Sequence, residues 1–343
     1  MEVSSPLPVL LDRHLPALEA ELRDLLASAE ARYSDFYDIL QYHMGWLDLD
    51  RRPIPGHAGK RVRPVLCLLA CEAAGGTFQQ ALPAAAGIEI LHNFSLLHDD
   101  IEDRSETRRG RPTVWRLWGE AQAINAGDGL FALAHLAFAR LPDRGIPIER
   151  AFAAVGFFDR MCLELTHGQH LDMCFEARLD VTMDEYMRMI TGKSAALIAA
   201  ATYLGAWLAG ASEAVAGRYL WFGHHLGLAF QIKDDILGIW GDAEITGKST
   251  SDDIRTRKKT LPVVYALERS LTLRHLYAAG GIPPEQLPWV VDELARVGAR
   301  EVAESALVEH HRKALEALEQ SGAPGQASTA LADMAANLLA RVS

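Results

Sequence analysis

The chain offers almost nothing from which to build a sheet. No run alternates apolar and polar residues up to an Asn-Gly or Asp-Gly turn. Apolar residues instead recur at three- and four-residue spacing along nearly the whole length, among abundant Ala, Leu, Glu and Arg. The pattern breaks at Pro53–Gly59, Gly75–Gly76, Gly110–Pro112, Pro142–Pro147, Arg178–Thr182, Gly241–Ser251, Gly280–Pro284 and Gly322–Gly325, mostly at Gly and Pro. Helical segments of about 15 to 30 residues lie between the breaks, longer than the average globular helix. There is no tandem repeat, low-complexity tract or linker-like shift of composition. The 343 residues are therefore expected to form a single all-α domain over 1–343, a bundle of ten or more helices, with roughly 1–30 as an N-terminal helical extension.

Composition narrows the class. Hydrophobic residues at 49% and charged residues at 23% are ordinary for a soluble globular protein and exclude disordered, collagen-like and disulfide-stapled chains. Cys67 and Cys71 stand one helical turn apart with no second ligand pair at metal spacing, so they read as small buried apolar groups. Four cysteines in so long a chain suit a reducing cytoplasm. Met1–Leu11 holds Glu2, no basic stretch and no long apolar core, so no signal peptide is expected. Ser194–Ser212 is uncharged and long enough to span a bilayer. Eight of its residues are Ala, beside Thr202, Tyr203, Gly205 and Gly210, so it reads as a buried central helix and no stable membrane insertion is expected.

The net charge of −11 argues against a nucleic-acid binder. The total conceals clustering. Arg51–Pro64, Arg104–Arg116 and Lys248–Lys259 carry 15 of the 34 basic residues but only Glu106, Asp252 and Asp253 of the 45 acids.

Next to these clusters lie acids of a particular kind. Asp99, Asp100 and Asp103 form D-D-x-x-D at the end of an apolar helical segment. Asp99 and Asp103 are one turn apart on one face, so their carboxylates converge. They suit Mg²⁺, which takes one or two carboxylates together with substrate phosphates. Asp234 and Asp235 end a second apolar segment about 135 residues on. In a bundle, two such helix ends can face each other across a cavity. Lys60, Arg61 and Arg63 precede one helix, Arg108 and Arg109 follow the first acidic motif, Lys193 precedes the uncharged segment, and Lys248, Lys258 and Lys259 follow the second. Carboxylates for a metal beside several Arg and Lys match a small polyanion, most naturally diphosphate.

The segments GKRVRP (Gly59–Pro64), HNFSLLHDDIED (His92–Asp103), RRGRPT (Arg108–Thr113), GKSAAL (Gly192–Leu197), FQIKDD (Phe230–Asp235), GKSTSDDI (Gly247–Ile254) and KKTLP (Lys258–Pro262) occur in that order. From about Tyr42 to Leu267 the chain resembles the trans-isoprenyl diphosphate synthases of the polyprenyl synthetase family. The resemblance implies the isoprenoid synthase fold, a helical bundle around an elongation cavity. It implies head-to-tail condensation of isopentenyl diphosphate with a dimethylallyl, geranyl or farnesyl diphosphate, with two or three Mg²⁺ ions, in a homodimer. Carried over residue by residue, Lys60, Arg63, His92 and Arg109 hold isopentenyl diphosphate. Asp99, Asp103 and Asp234 ligate metal. Arg108, Lys193, Ser194, Gln231, Lys248 and Lys258 bind the allylic diphosphate, and Asp99, Asp103, Lys193, Asp234 and Lys248 carry the catalysis. Asp253 would support Lys248 or a metal-bound water.

Two positions depart from the family pattern. Gly238 stands where many members carry a third Asp, and Ser194 where Thr is common. In the family, the residues four and five before the first Asp set product length. Here they are Ser95 and Phe94, which favours geranylgeranyl diphosphate, with farnesyl diphosphate next. Partner-helix residues such as Phe131, Phe157 or Phe158 are alternative floors. Competing readings are a non-catalytic partner subunit, a class I terpene cyclase and, weaker, a metal phosphohydrolase built on His98 and Asp99.

Overall fold

A computed structural model of the chain describes residues 5–27, 30–54, 59–241, 252–322 and 324–339. It is helical almost throughout, as the spacing implies. Among the described residues, extended pairing is confined to a hairpin of β1 (Thr107–Arg108) and β2 (Arg111–Pro112) and one bridge between Leu47 and Pro53. The chain divides into two compact units. One comprises Met1–Gly156, Ala201–Ala216 and Ala323–Ala330; the other comprises Phe157–Ala200, Gly217–Gly322 and Leu331–Ser343.

The first unit contains α1 (Leu7–Leu25), α2 (Ser34–His43), α3 (Val62–Ala73), α4 (Phe78–Glu102), the hairpin, α5 (Val114–Trp118) and α6 (Glu120–Phe138). Helix α4 is its axis. Thr77 and Gln80 close a capping box at its start. Every residue from Ala81 to Leu91 is buried, because α1, α3 and α6 all pack on α4. A helix covered on every side shows no polar stripe, and its run of Ala and Gly lets neighbours come close. Helices α7 (Ile148–Glu176), α9 (Ala196–Leu208) and α10 (Glu213–Trp240) contribute residues to both units.

In the second unit the Arg178–Thr182 break is a capping box, with Thr182 and Glu185 starting α8 (Met183–Ile190). A π-helical turn, Thr191–Ala195, follows directly. Then come α11 (Asp252–Arg255), α12 (Leu261–Leu267), α13 (Leu271–Ala278), α14 (Leu287–Arg296), α15 (Ala299–Glu319) and, ending partly in this unit, α16 (Gln326–Leu339). Phe175, Tyr186, Ile190, Leu228, Ile232, Ile236, Leu261 and Val264 form one buried cluster. The uncharged stretch of the sequence is α9, in which all residues except Tyr203 and Trp207 are buried. Among the described residues no helix is long and apolar enough to cross a membrane.

Candidate active site

In the first unit the acidic motif closes α4. The backbone N–H of Asp103 donates to the Asp99 carbonyl at 2.9 Å, so the two residues sit one turn apart as the spacing requires. The three acids differ in exposure. Asp100 is buried at 2% exposure, Asp99 is half-buried and Asp103 is exposed. Arg108 donates from Nε to Asp100 at 2.8 Å, and its Nη2 lies 3.5 Å from Asp99. Burial pushes the Asp100 carboxyl up to about 6, against the opposing pull of Arg108. Asp100 is thus an anchor for Arg108, while Asp99 and Asp103 present oxygens outward.

Arg109 and Gly110 form the two-residue turn between β1 and β2, and both have positive φ, +53° and +73°. That is the backbone of a type I′ hairpin turn, which glycine takes freely and arginine does not. A non-glycine residue held left-handed is a mark of a position fixed for its side chain. The Arg109 guanidinium lies beside Gly59, 3.1 Å from where a Cβ there would sit, so the GKRVRP segment runs alongside the hairpin.

Within GKRVRP the side chains divide again. Lys60 is exposed. Arg61, also left-handed at φ +47°, is buried and donates to Glu19 and Glu89, each at 2.7 Å. Arg63 Nη1 lies 3.1 Å from Nε2 of His92. Burial, and then the charges of Arg63, Arg109 and Arg108, hold the His92 ring well below its ordinary range. Arg63, His92 and Arg109 are therefore gathered in one place, with Lys60 at its edge.

Sequence reasoning missed His43, which sits on the wall of an open pocket shared with Tyr42, Asp100, Arg108, Arg109 and Arg111. Its signal was weak, a lone histidine closing a helix. Phe94 packs its ring 5.2 Å from Phe131 and 4.7 Å from His98, and the Ser95 hydroxyl donates to the His92 carbonyl at 2.8 Å.

In the second unit Lys193 lies in the π-helical turn and forms an ion pair with Asp172 of α7. Asp172 was not singled out from sequence, because its partner lies 21 residues away with no local pattern. Ser194 donates to Gln231 at 2.5 Å, and Gln231 donates to Asp235 at 2.8 Å. Asp235 also accepts from the Tyr186 hydroxyl at 2.5 Å and the Leu261 N–H at 2.8 Å. Burial pushes its carboxyl up to about 7. Asp234, its neighbour, is exposed. The second acidic pair divides like the first, one acid tied inward and one turned out. Lys258 is exposed, with its N–H on the Asp253 carbonyl at 2.9 Å. Lys248 lies outside the described residues. Among the described residues no three His, Cys, Asp or Glu side chains converge as a closed metal cage. Outward pairs of hard carboxylate oxygens fit Mg²⁺, which keeps waters and takes phosphate oxygens.

Residues 52–292 match the family model for polyprenyl synthetase. The chain belongs to the polyprenyl synthetase family. It is 41% identical over 315 residues to the (2E,6E)-farnesyl diphosphate synthase of Mycobacterium tuberculosis H37Rv, covering 87% of this chain and 84% of that one. It is 44% identical over 242 residues to the geranylgeranyl diphosphate synthase of the same organism, covering 69% of this chain and 68% of that one. Among solved structures, the polyprenyl synthetase of Streptomyces coelicolor A3(2) superposes with a TM-score of 0.89 at 35% identity, over 97% of this chain and 99% of that one. As in the solved polyprenyl synthetases it resembles, this chain is built of helices with little sheet.

Proposed function

We propose that this polyprenyl synthetase condenses isopentenyl diphosphate head-to-tail with an allylic diphosphate and makes geranylgeranyl diphosphate. The observation that carries the reading is the presence, in one unit, of outward carboxylates beside Arg108 and of a separate cluster of Arg63, His92 and Arg109. Two diphosphates need two such sets; a cyclase that ionises one substrate needs only the first.

On this reading Asp99, Asp103 and Asp234 hold Mg²⁺. When bound, the metal neutralises charge developing on the departing diphosphate. Arg108, Lys193, Ser194, Gln231, Lys248 and Lys258 hold the allylic diphosphate and stabilise that same charge electrostatically. Lys60, Arg63, His92 and Arg109 hold isopentenyl diphosphate with its double bond toward the allylic carbon. Apolar walls keep water from the cation. The released diphosphate takes the proton lost from the adduct, so no protein nucleophile is required.

A homodimer is part of the proposal. On α6, Ile124 and Phe131 stand two turns apart on one face and are 47% and 38% exposed, apolar surface for a second copy to cover. A cytoplasmic site is proposed from the cysteines, all four of which are free thiols.

A farnesyl product is the second reading, favoured by the mycobacterial relative of that name. Labelled isopentenyl diphosphate with dimethylallyl, geranyl or farnesyl diphosphate and Mg²⁺ decides. Twenty-carbon product from all three primers is expected. Accumulation at fifteen carbons selects the farnesyl reading. No condensation with any primer overturns the proposal in favour of a partner subunit, and a cyclised hydrocarbon made without isopentenyl diphosphate in favour of a cyclase.

A further inference from the structure

His43 is the last residue of α2, and its ring is half-buried beside the arginine-rich hairpin. The ring bonds to the backbone of Asn93 on α4. Its Nε2 atom is shielded from solvent and has no hydrogen-bond partner among the described residues. A polar atom left in that state is costly. Such an atom persists where something outside the chain completes it, and here it borders the pocket that Arg109 also lines.

The other cations of that pocket have partners. Arg108 is held by Asp100 and Asp99. Arg111 donates to the carbonyls of Tyr42 and Leu47 and lies 4.0 Å over the Tyr42 ring, which shapes the pocket wall. Among the described residues, Arg109 and His43 are the basic groups of the wall that remain to meet an anion.

We propose that His43 is a further contact to the diphosphate of isopentenyl diphosphate, donating from Nε2 to a phosphate oxygen beside Arg109. The inference rests on the two-diphosphate reading above. Burial, then the charges of Arg108 and Arg109, hold the free ring uncharged, pushing it down to about 3. An incoming diphosphate offsets those charges and favours a second proton on the ring. The result is a charge-assisted hydrogen bond, stronger than a neutral one.

Steady-state kinetics of full-length His43→Ala and His43→Gln test this. The expected result for His43→Ala is a rise of about tenfold or more in the KM for isopentenyl diphosphate, with kcat and the KM for the allylic primer within about twofold. His43→Gln keeps an N–H donor and should recover part of the loss, and it carries the test should the alanine variant not fold. An isopentenyl diphosphate KM within about twofold of wild type in the glutamine and alanine variants alike overturns the proposal. Equal rises in both substrates' KM also overturn it, since those report a structural role. Wild type that does not condense at all defeats the two-diphosphate reading instead. Calorimetric titration with inorganic diphosphate then still reads the pocket: equal affinity in wild type and His43→Ala overturns the contact.

Discussion

Gly168 of α7 lies against the backbone of Lys193, so close that a Cβ at residue 168 would overlap the Lys193 nitrogen. Gly192 is reciprocally packed on the Gly168 Cα and the Glu164 carbonyl. This contact seats the π-helical turn on α7 and sets Asp172, one turn beyond Gly168, against the Lys193 ammonium. Gly168→Ala should lower stability by about 1–3 kcal/mol, the range for a methyl forced into a packed contact. It should also raise the KM for the allylic substrate. Gly217, in α10 with nothing within 4 Å of its Cβ position, is the matched control. Gly217→Ala should stabilise by about 0.5–1 kcal/mol. Chemical denaturation of both variants measures the difference, and equal stabilities would remove the contact as a constraint.

The two acidic pairs predict opposite outcomes within each pair. Asp99 is turned outward, so Asp99→Ala should cut turnover by orders of magnitude, with melting temperature nearly unchanged. Asp235 accepts three hydrogen bonds in the interior. Asp235→Asn replaces one acceptor oxygen with a donor facing donors, and should cost about 1–3 kcal/mol of stability. Near-normal activity of Asp99→Ala would refute its metal role, and an unchanged denaturation midpoint for Asp235→Asn would refute the anchoring one.

The helices were legible because Gly and Pro end them and because burial repeats every three to four residues. The division within each Asp pair was implicit too: consecutive residues on a helix point 100° apart, so Asp99 and Asp100 cannot share a direction. The hairpin was not legible, since strands of two residues leave no alternating run. His43 and Asp172 were missed because their surroundings come from segments far along the chain. Gly238 read as a missing acid. The structure gives it a positive reason: the Asp253 carboxylate occupies the space a Cβ there would need.

His225 of α10 and His310 of α15 bring their Nδ1 atoms within 3.1 Å, with Trp221 stacked on the His225 ring. Two imidazolium ions cannot occupy that geometry. Burial, then His224, His310 and Lys313, pushes His225 down to about 4, and burial lowers His310 too. An unfolded histidine titrates near 6.5. Between about 6.5 and 4 the unfolded chain therefore binds more protons, and stability falls as pH falls. The stability is fully present above about 6.5, and the loss amounts to roughly 2–3 kcal/mol by pH 4 for these partly exposed rings. Urea denaturation of wild type and His225→Gln at pH 7.5, 6 and 5 measures it. A flatter pH dependence is expected in the variant, and parallel curves would exclude the pair as a source of acid sensitivity.

Phe94 does not stand alone below the first acidic motif. Its ring meets Phe131 of α6 at 5.2 Å, so removing one ring leaves the other in place. If this pair closes the end of the growing chain, Phe94→Ala should shift product from twenty toward twenty-five carbons. Phe131→Ala alone should shift it less, because Phe131 is 38% exposed and fills less of the interior. The double variant should exceed either single one, since each single variant keeps the other ring. Chromatography of products from labelled isopentenyl diphosphate reads the lengths directly. Unchanged length in the double variant would move the floor away from both rings and toward another helix, where Phe157 and Phe158 of α7 become the next residues to truncate.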